Sequence, residues 1–275
     1  MSLFVCPICG GELERGEKSY TCNLGHSYDI AAEGYVHLLP ANKKHSKLPG
    51  DDKNMVRARS RFLSAGYYEP LLKAIVELVL PLSSENPVIL DSGCGEGYYT
   101  EGLFNALKSA GKAPLVTGID ISKEAVKLAA KRLKDGEFAV ASAYCLPLEF
   151  ERTDIVLNCF SPLCGSEFRR VLKVGGYFIY VVPAPRHLWE MKCAVYDTPY
   201  ENESIIAEYE GFELVKMVSV VERISIADRQ TISDLFTMTP YFWKTPKEGA
   251  SRLLSLDGLE TEISFDVYVY QKTVH

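Results

Sequence analysis

No stretch of this sequence approaches the run of about twenty apolar residues that a membrane-crossing helix requires, and a transmembrane role is excluded on that ground. The first residues lack the basic patch and apolar stretch of a secretory signal, so the sequence predicts a cytoplasmic chain. Positive charge is in deficit: 30 Lys and Arg stand against 36 Asp and Glu, a net charge of −6, which argues against a general nucleic-acid coat protein. No internal repeat or low-complexity tract suggests a solenoid or an extended linker. No glycine-rich loop is followed by the lysine of a nucleotide-phosphate loop.

Cysteine is present but unevenly placed. Of the 8, Cys6, Cys9 and Cys22 fall in the opening segment with His26, in the spacing C-x2-C-x12-C-x3-H. Zinc takes four thiolate or imidazole donors at tetrahedral corners, and two short-spaced pairs joined by a hairpin-length loop supply them. Gly10, Gly11 and Gly25 stand where the chain must curl around the ligands, and Lys18–Thr21 reads as a short strand leading into the second pair. The pattern predicts a zinc ribbon holding one structural Zn2+ on Cys6, Cys9, Cys22 and His26, with no position open for chemistry. The remaining Cys94, Cys145, Cys159, Cys164 and Cys193 are scattered at no ligand spacing and read as reduced thiols.

Charge is also uneven. Residues 42–62 hold Lys43, Lys44, Lys47, Lys53, Arg57, Arg59 and Arg61 against Asp51 and Asp52, and a basic stretch beside a zinc ribbon suits contact with phosphates. A solvated helix face is the competing reading. The chain divides into a ribbon over 1–37, a basic linker and helices over 38–82, broken at Gly66 and Pro70, and a larger domain over 83–275.

From residue 87 short apolar runs alternate with helical segments. Runs at 87–91, 115–120, 137–141, 154–159 and 177–182 read as buried parallel strands, with helices at 98–110, 122–134 and about 166–172 between them. Segments 214–226 and 263–270 read as two last, antiparallel strands paired in hairpin fashion. The alternation predicts an α/β fold, a Rossmann-like doubly wound sheet of seven strands.

The turn after the first strand carries Gly93, Gly95 and Gly97, preceded by Asp91, and the second strand closes on Asp120. Glycines let backbone approach a ligand at the carboxyl edge of the sheet. An acid at that turn suits a cationic amine, and an acid ending the second strand can accept ribose hydroxyls. S-adenosylmethionine combines an ammonium, a sulfonium and a ribose, so the pattern points to a methyltransferase of class I.

The acceptor is less legible. After the fourth strand the chain reads Asn158-Cys159-Phe160-Ser161-Pro162, which departs from the Asn/Asp-Pro-Pro-aromatic pattern associated with exocyclic amines. Carbon methylation of a pyrimidine would need a nucleophilic thiol, for which Cys159 and Cys164 are the candidates, each better read as a packed residue. A ring nitrogen or an oxygen remains. Phe160, Tyr241, Phe242 and Trp243 are candidates for stacking on an unstacked base. No residue identifies itself as the general base.

The segments CPICGGEL, TCNLGH, EGYVHLLP, ARSRFLSAGYYEPL, ILDSGCGEGYYT, GIDISKEAVKLAAKR, ASAYCLP, RRVLKVGG, APRHLWEMK and LFTMTPYFWK run from end to end of the chain. Together they resemble the bacterial large-subunit (23S) ribosomal RNA guanine-N1-methyltransferases. The resemblance implies methylation of a guanine in a ribosomal hairpin loop, RNA recognition by the ribbon, and cofactor contacts from Tyr68, Gly95, Glu96 and His187. Tyr67 stands where the family often has His, His37 where it often has Asn, and Val174 where it usually has Pro. Two other classes stay open on the residues alone: a metabolite or protein methyltransferase with a merely structural ribbon, and a non-catalytic RNA-binding protein. The oligomeric state, a homodimer included, is not legible.

Overall fold

The structure, a computed structural model, describes residues 2–40, 50–203 and 208–274. The opening segment forms a three-stranded antiparallel sheet, β1 (Glu14–Arg15), β2 (Ser19–Thr21) and β3 (Ser27–Asp29). Two helices follow, α1 (Lys53–Ser64) and α2 (Glu69–Leu82). The Asp52 side chain caps α1 by accepting from the N–H groups of Asn54 and Met55; Gly66, at φ of +87°, separates the two helices where the sequence places a break, but Pro70 lies within the first turn of α2, where its missing N–H breaks no helical bond, and marks no break.

The large sheet is built from β5 (Val88–Ser92), β6 (Leu115–Asp120), β7 (Glu137–Val140), β8 (Thr153–Cys159), β9 (Leu172–Pro183), β10 (Phe212–Ile226) and β11 (Leu259–Lys272). Helices α3 (Tyr98–Ser109), α4 (Lys123–Arg132) and α5 (Gly165–Val171) make the crossovers. The order is β10-β11-β9-β8-β5-β6-β7-β4, parallel from β9 to β4 and antiparallel at β10 and β11. The sheet therefore has eight strands where the sequence predicts seven. The extra one, β4 (Val36–His37), pairs in parallel with Ala139–Val140 and is too short to carry a periodic signal.

The last two strands do pair antiparallel, but no tight turn joins them. Residues 227–258 carry α7 (Arg229–Thr237), α8 (Tyr241–Lys244) and α9 (Lys247–Leu254), and α6 (Trp189–Val195) follows β9. Ribbon and sheet share one core: Leu3, Phe4, Leu13 and Tyr20 cluster with Leu90, Ile119, Val156 and Phe178. Strand order reverses beside β5, between β6 and β8, and at such a point the carboxyl ends of the strands leave a crevice open to ligands.

Candidate active site and metal centre

The metal ligands come together as their spacing predicts. The donor atoms of Cys6, Cys9, Cys22 and His26 all lie within 4.8 Å of one another. Cys6 Sγ is 3.5 Å from His26 Nδ1, Cys22 Sγ is 3.4 Å from the same nitrogen, and the sulfurs of Cys9 and Cys22 are 3.7 Å apart. Donors about 2.3 Å from a tetrahedral zinc are separated by roughly 3.7 Å, so the cage has the right size. Gly10 and Gly25, at φ of +73° and +81°, turn the backbone so that their N–H groups donate to the carbonyls of Cys6 and Cys22. The Tyr28 hydroxyl, 3.1 Å from Cys6 Sγ, is placed to donate to the thiolate.

The glycine loop after β5 uses its three glycines differently. A Cβ at Gly93 would stand 2.0 Å from Ser161 Oγ, and one at Gly97 would stand 2.9 Å from Ala129 Cα, so both are packing positions. A Cβ at Gly95 would meet nothing within 4 Å; its φ of +55° turns it toward open space. Gly95 is the point where a ligand can approach backbone.

Asp91 and Asp120 end the adjacent strands β5 and β6. Asp91 is buried, and its Oδ2 accepts from Thr100 Oγ1 at 2.6 Å while Oδ1 has no partner. Burial, opposed by the Thr100 bond and aided by nearby Asp120, raises the Asp91 carboxyl to about 7. The Asp120 carboxylate accepts the Gly95 N–H at 3.0 Å and the Ser122 N–H at 2.7 Å, one on each oxygen. Burial raises it too, against those two bonds. Each carboxylate oxygen keeps a second lone-pair direction, so acceptor capacity remains at Asp120.

Glu96 is buried and pairs with Arg132 at 2.7 Å, while its Oε1 is unpartnered. Burial pushes its carboxyl up and Arg132 pulls it down. Arg132 also bonds Glu101 and Ser64, binding α4 to α3 and α1 around the loop. On the far side, the Ser264 N–H donates to His187 Nδ1 at 3.2 Å. A backbone N–H can only donate, so Nδ1 carries no proton and Nε2–H donates to the Tyr68 hydroxyl, also at 3.2 Å. Burial, with Lys192 nearby, lowers His187 to about 3, and it is neutral at physiological pH.

The buried Asp91 oxygen without a partner, the open face of Gly95 and the acid at Asp120 fit an ammonium, a close backbone approach and a ribose, as S-adenosylmethionine presents them. The sequence did not reveal Thr100, Arg132 or Ser264, whose roles arise from tertiary contacts.

The acceptor candidates separate clearly. Phe160 follows β8 with φ of +55°, a strained value for a residue with a Cβ, and is 45% exposed. Its ring lies 6.4 Å from that of Tyr99 and 5.5 Å from that of Phe265, which packs on Tyr68 and His187. Tyr241 is half-buried and bonds Asn202, whereas Phe242 and Trp243 are exposed on α8, and Trp243 reaches Met55 of α1. Cys159 is buried, which drives its thiol well above the ordinary range, and it is no nucleophile.

The basic stretch is partly structural. Arg59 pairs with Asp51 and donates to the Met238 carbonyl, and Arg61 forms two bonds to Asp234. Lys53 and Arg57 stand exposed, and Lys43, Lys44 and Lys47 lie outside the described residues. Tyr67, where the family often has His, stacks on Phe62 at 4.8 Å, and Val174 is exposed. A cavity of about 500 Å³ lined by Phe150, Arg169 and Lys272 carries no open cation: Arg169 pairs with Glu210 and Lys272 with Glu151.

Among the described residues no helix is long and apolar enough to cross a membrane. Residues 4–47 match the zinc-ribbon family described as "RlmA, N-terminal", and residues 83–229 match a methyltransferase-domain family. The YxjB protein of Bacillus subtilis (strain 168), provisionally named a 23S rRNA (guanine-N(1)-)-methyltransferase, is 38% identical over 77% of this chain and 75% of its own. The 23S rRNA (guanine(748)-N(1))-methyltransferase of Streptomyces fradiae is 32% identical over 68% of this chain and 65% of its own. Among solved structures, the YcgJ protein from Bacillus gives a TM-score of 0.49 at 15% identity, covering 74% of this chain and 98% of that one. The chain belongs to the family of 23S rRNA guanine-N1-methyltransferases, enzymes that depend on S-adenosylmethionine, and carries the family's zinc ribbon.

Proposed function

We propose that this protein methylates N1 of a guanine in a hairpin loop of large-subunit ribosomal RNA. The observation that carries the reading is the joining, in one core, of a four-ligand ribbon to a sheet whose carboxyl edge carries the buried acids Asp91 and Asp120 beside the open face of Gly95. Family membership supplies the acceptor.

S-adenosylmethionine, when bound, supplies an electrophilic methyl on a sulfonium whose departure leaves a neutral thioether. The residues of this chain hold and orient. Asp91 would hold the ammonium through its unpartnered oxygen, Asp120 would accept from ribose hydroxyls, and the open face of Gly95 would admit the ligand against the backbone. Tyr68 is buried, and its hydroxyl accepts from neutral His187. Both ring nitrogens of His187 are engaged, so it positions the Tyr68 hydroxyl and does not take the guanine N1 proton. Holding nucleophile and methyl in line contributes up to roughly 7–11 kcal/mol to the rate. A loop guanine is the accessible target, because base edges within an A-form helix are poorly reached and unstacking costs least where pairing is weak.

The test combines purified protein, donor and unmodified 23S ribosomal RNA. A methyl on N1 removes a Watson–Crick donor and stops reverse transcriptase, and mass spectrometry of the digest should contain 1-methylguanosine. Labelled methyl entering RNA as another nucleoside defeats the N1 assignment. Labelled methyl entering a small molecule or a protein, and no RNA, defeats the reading altogether.

A further inference from the structure

The Tyr99 hydroxyl is buried and meets no hydrogen-bond partner among the described residues. A buried hydroxyl left unpaired costs free energy that a phenylalanine would avoid, so its presence calls for a ligand that supplies the missing partner. Its place narrows the choice. Tyr99 and Thr100 stand in the first turn of α3, about 100° apart around the helix. Thr100 turns to Asp91 at the end of β5, where its hydroxyl donates to the carboxyl. Tyr99 turns to the end of β8: Cys159 and Tyr68 are among the ionisable groups around its hydroxyl, and its ring lies 6.4 Å from that of Phe160 with the two planes inclined at 60°. With Asp91 as the ammonium partner, the carboxylate of the cofactor, carried on the same carbon, lies on the β5 side as well. The β8 side is left to the acceptor, beside the exposed ring of Phe160.

We propose that Tyr99 is a catalytic residue whose hydroxyl donates a hydrogen bond to O6 of the target guanine. The assignment rests on guanine N1 as the acceptor. A base stacked parallel to Phe160 is inclined to Tyr99 as Phe160 itself is, and inclined rings can be joined by a hydrogen bond between their edges, whereas stacked rings cannot. Guanine N1 attacks after losing its proton, and the electron pair left behind spreads over N1 and O6. A donor fixed in a dry site at O6 holds that charge, eases the loss of the proton and needs no reorganisation at the moment of reaction.

The step balances with Tyr99 unchanged. The N1 proton passes to water, the N1 pair bonds to the methyl carbon, and the bond from that carbon to sulfur breaks with its electrons to sulfur. O6 returns to a neutral carbonyl. Burial pushes the Tyr99 hydroxyl well above its ordinary range, so it keeps its proton throughout and acts as a donor, not as the base.

Tyr99→Phe in the full chain tests this. The variant should melt at or above the temperature of the unsubstituted protein, since it sheds an unpaired hydroxyl. Its affinity for S-adenosylmethionine, by calorimetry, should be unchanged. With unmodified 23S ribosomal RNA, kcat at neutral pH should fall by roughly ten- to a hundredfold, the loss of a hydrogen bond to a charged group, while KM for RNA changes little. The rise of kcat with pH should move upward by about one to two units, the same factor expressed as proton affinity. An unaltered rate and pH profile overturns the proposal. So does a weakened cofactor affinity with the profile in place, because the hydroxyl then serves the cofactor carboxylate. A lower melting temperature with the profile in place overturns it too, since the role is then structural. An unsubstituted protein that labels no RNA, or labels it elsewhere than at N1, defeats the acceptor reading and this assignment with it, and shows so before any variant is made.

Discussion

The Tyr20 hydroxyl, on the ribbon, donates to Glu137 Oε1, in β7 of the large sheet, at 3.1 Å. Ser2 Oγ, at 2.9 Å, and the Leu3 N–H, at 3.3 Å, reach the other oxygen of the same carboxylate. Tyr20 is buried, and burial together with Glu137 pushes its hydroxyl above the ordinary range. The zinc-binding segment is thus cemented to the sheet and does not hang from it.

That bond makes a prediction about metal. Purified protein should contain about one zinc per chain. Cys6→Ser with Cys9→Ser should lose it. Because metal binding to such a ribbon is folding free energy, and because the ribbon side chains complete the sheet's core, the melting temperature of the whole chain should fall in a single transition. A variant that loses zinc but melts as before would mean that the two parts fold independently.

With Asp91 proposed as the ammonium partner, cofactor affinity should depend on pH. Its carboxyl, raised to about 7 by burial, is largely neutral below that pH in the free protein. An ammonium partner favours the ionised form, so binding below pH 7 must release a proton. Affinity should therefore climb by up to about tenfold per pH unit as pH rises toward 7, and then level off. For the free protein the sign is opposite: a carboxyl raised in the folded state contributes stability that is fully present below its unfolded value and lost as pH rises through 7. Calorimetry at several pH values checks the first effect. Asp91→Asn should bind weakly and with a flat profile, and a wild-type profile without slope would remove Asp91 from the ammonium site.

How much of this was legible depends on whether a residue's role is local. The strands β5, β6, β7 and β8 are short apolar runs buried on both faces, and such runs announce themselves. The zinc ligands and the glycine loop were legible because metal and backbone geometry impose spacing. Val36–His37 was not, since two residues carry no periodicity and their partners Ala139–Val140 lie far along the chain. The charge count over 42–62 misled in part, because the acids that neutralise Arg59 and Arg61 include Asp234, which only folding brings near. Buried Lys192 was hidden for the same reason: its ammonium is satisfied by the Tyr200 carbonyl and Asn202 Oδ1, neither of which the sequence marks.

That division sorts the basic residues into two experimental classes. Lys53 and Arg57 are exposed and should contact phosphate, whereas Arg59 and Arg61 hold the fold. Neutralising Lys53 and Arg57 should lower RNA affinity and reduce the slope of log affinity against log salt by roughly 0.7 to 0.9 for each lost contact. Cofactor affinity should not change. Arg61→Gln should instead lower the melting temperature and leave the salt slope alone. Equal slopes for the first pair and the wild type would make Lys53 and Arg57 a solvated helix face.

Phe160 carries the last prediction. Its backbone adopts a left-handed conformation that costs a residue with a Cβ free energy, and its N–H is tied to the Val181 carbonyl at 3.1 Å, which holds the turn in place. The neighbouring Ser161 closes over Gly93, so the exposed Phe160 ring lies beside the cofactor loop. A ring in that position can stack on a guanine drawn out of an RNA loop. Stacking of a base on an aromatic side chain contributes roughly 1–3 kcal/mol, so Phe160→Ala should lower kcat/KM for RNA by about 5- to 150-fold. Cofactor affinity should hold. Phe160→Tyr should restore most of the loss and Phe160→Leu should not, since leucine keeps bulk without a π face. Phe160→Gly, which relieves the strained backbone, should gain thermal stability relative to Phe160→Ala while remaining equally poor toward RNA. If leucine restores activity as well as tyrosine does, the ring is a hydrophobic wall of the cleft, and the base stacks elsewhere.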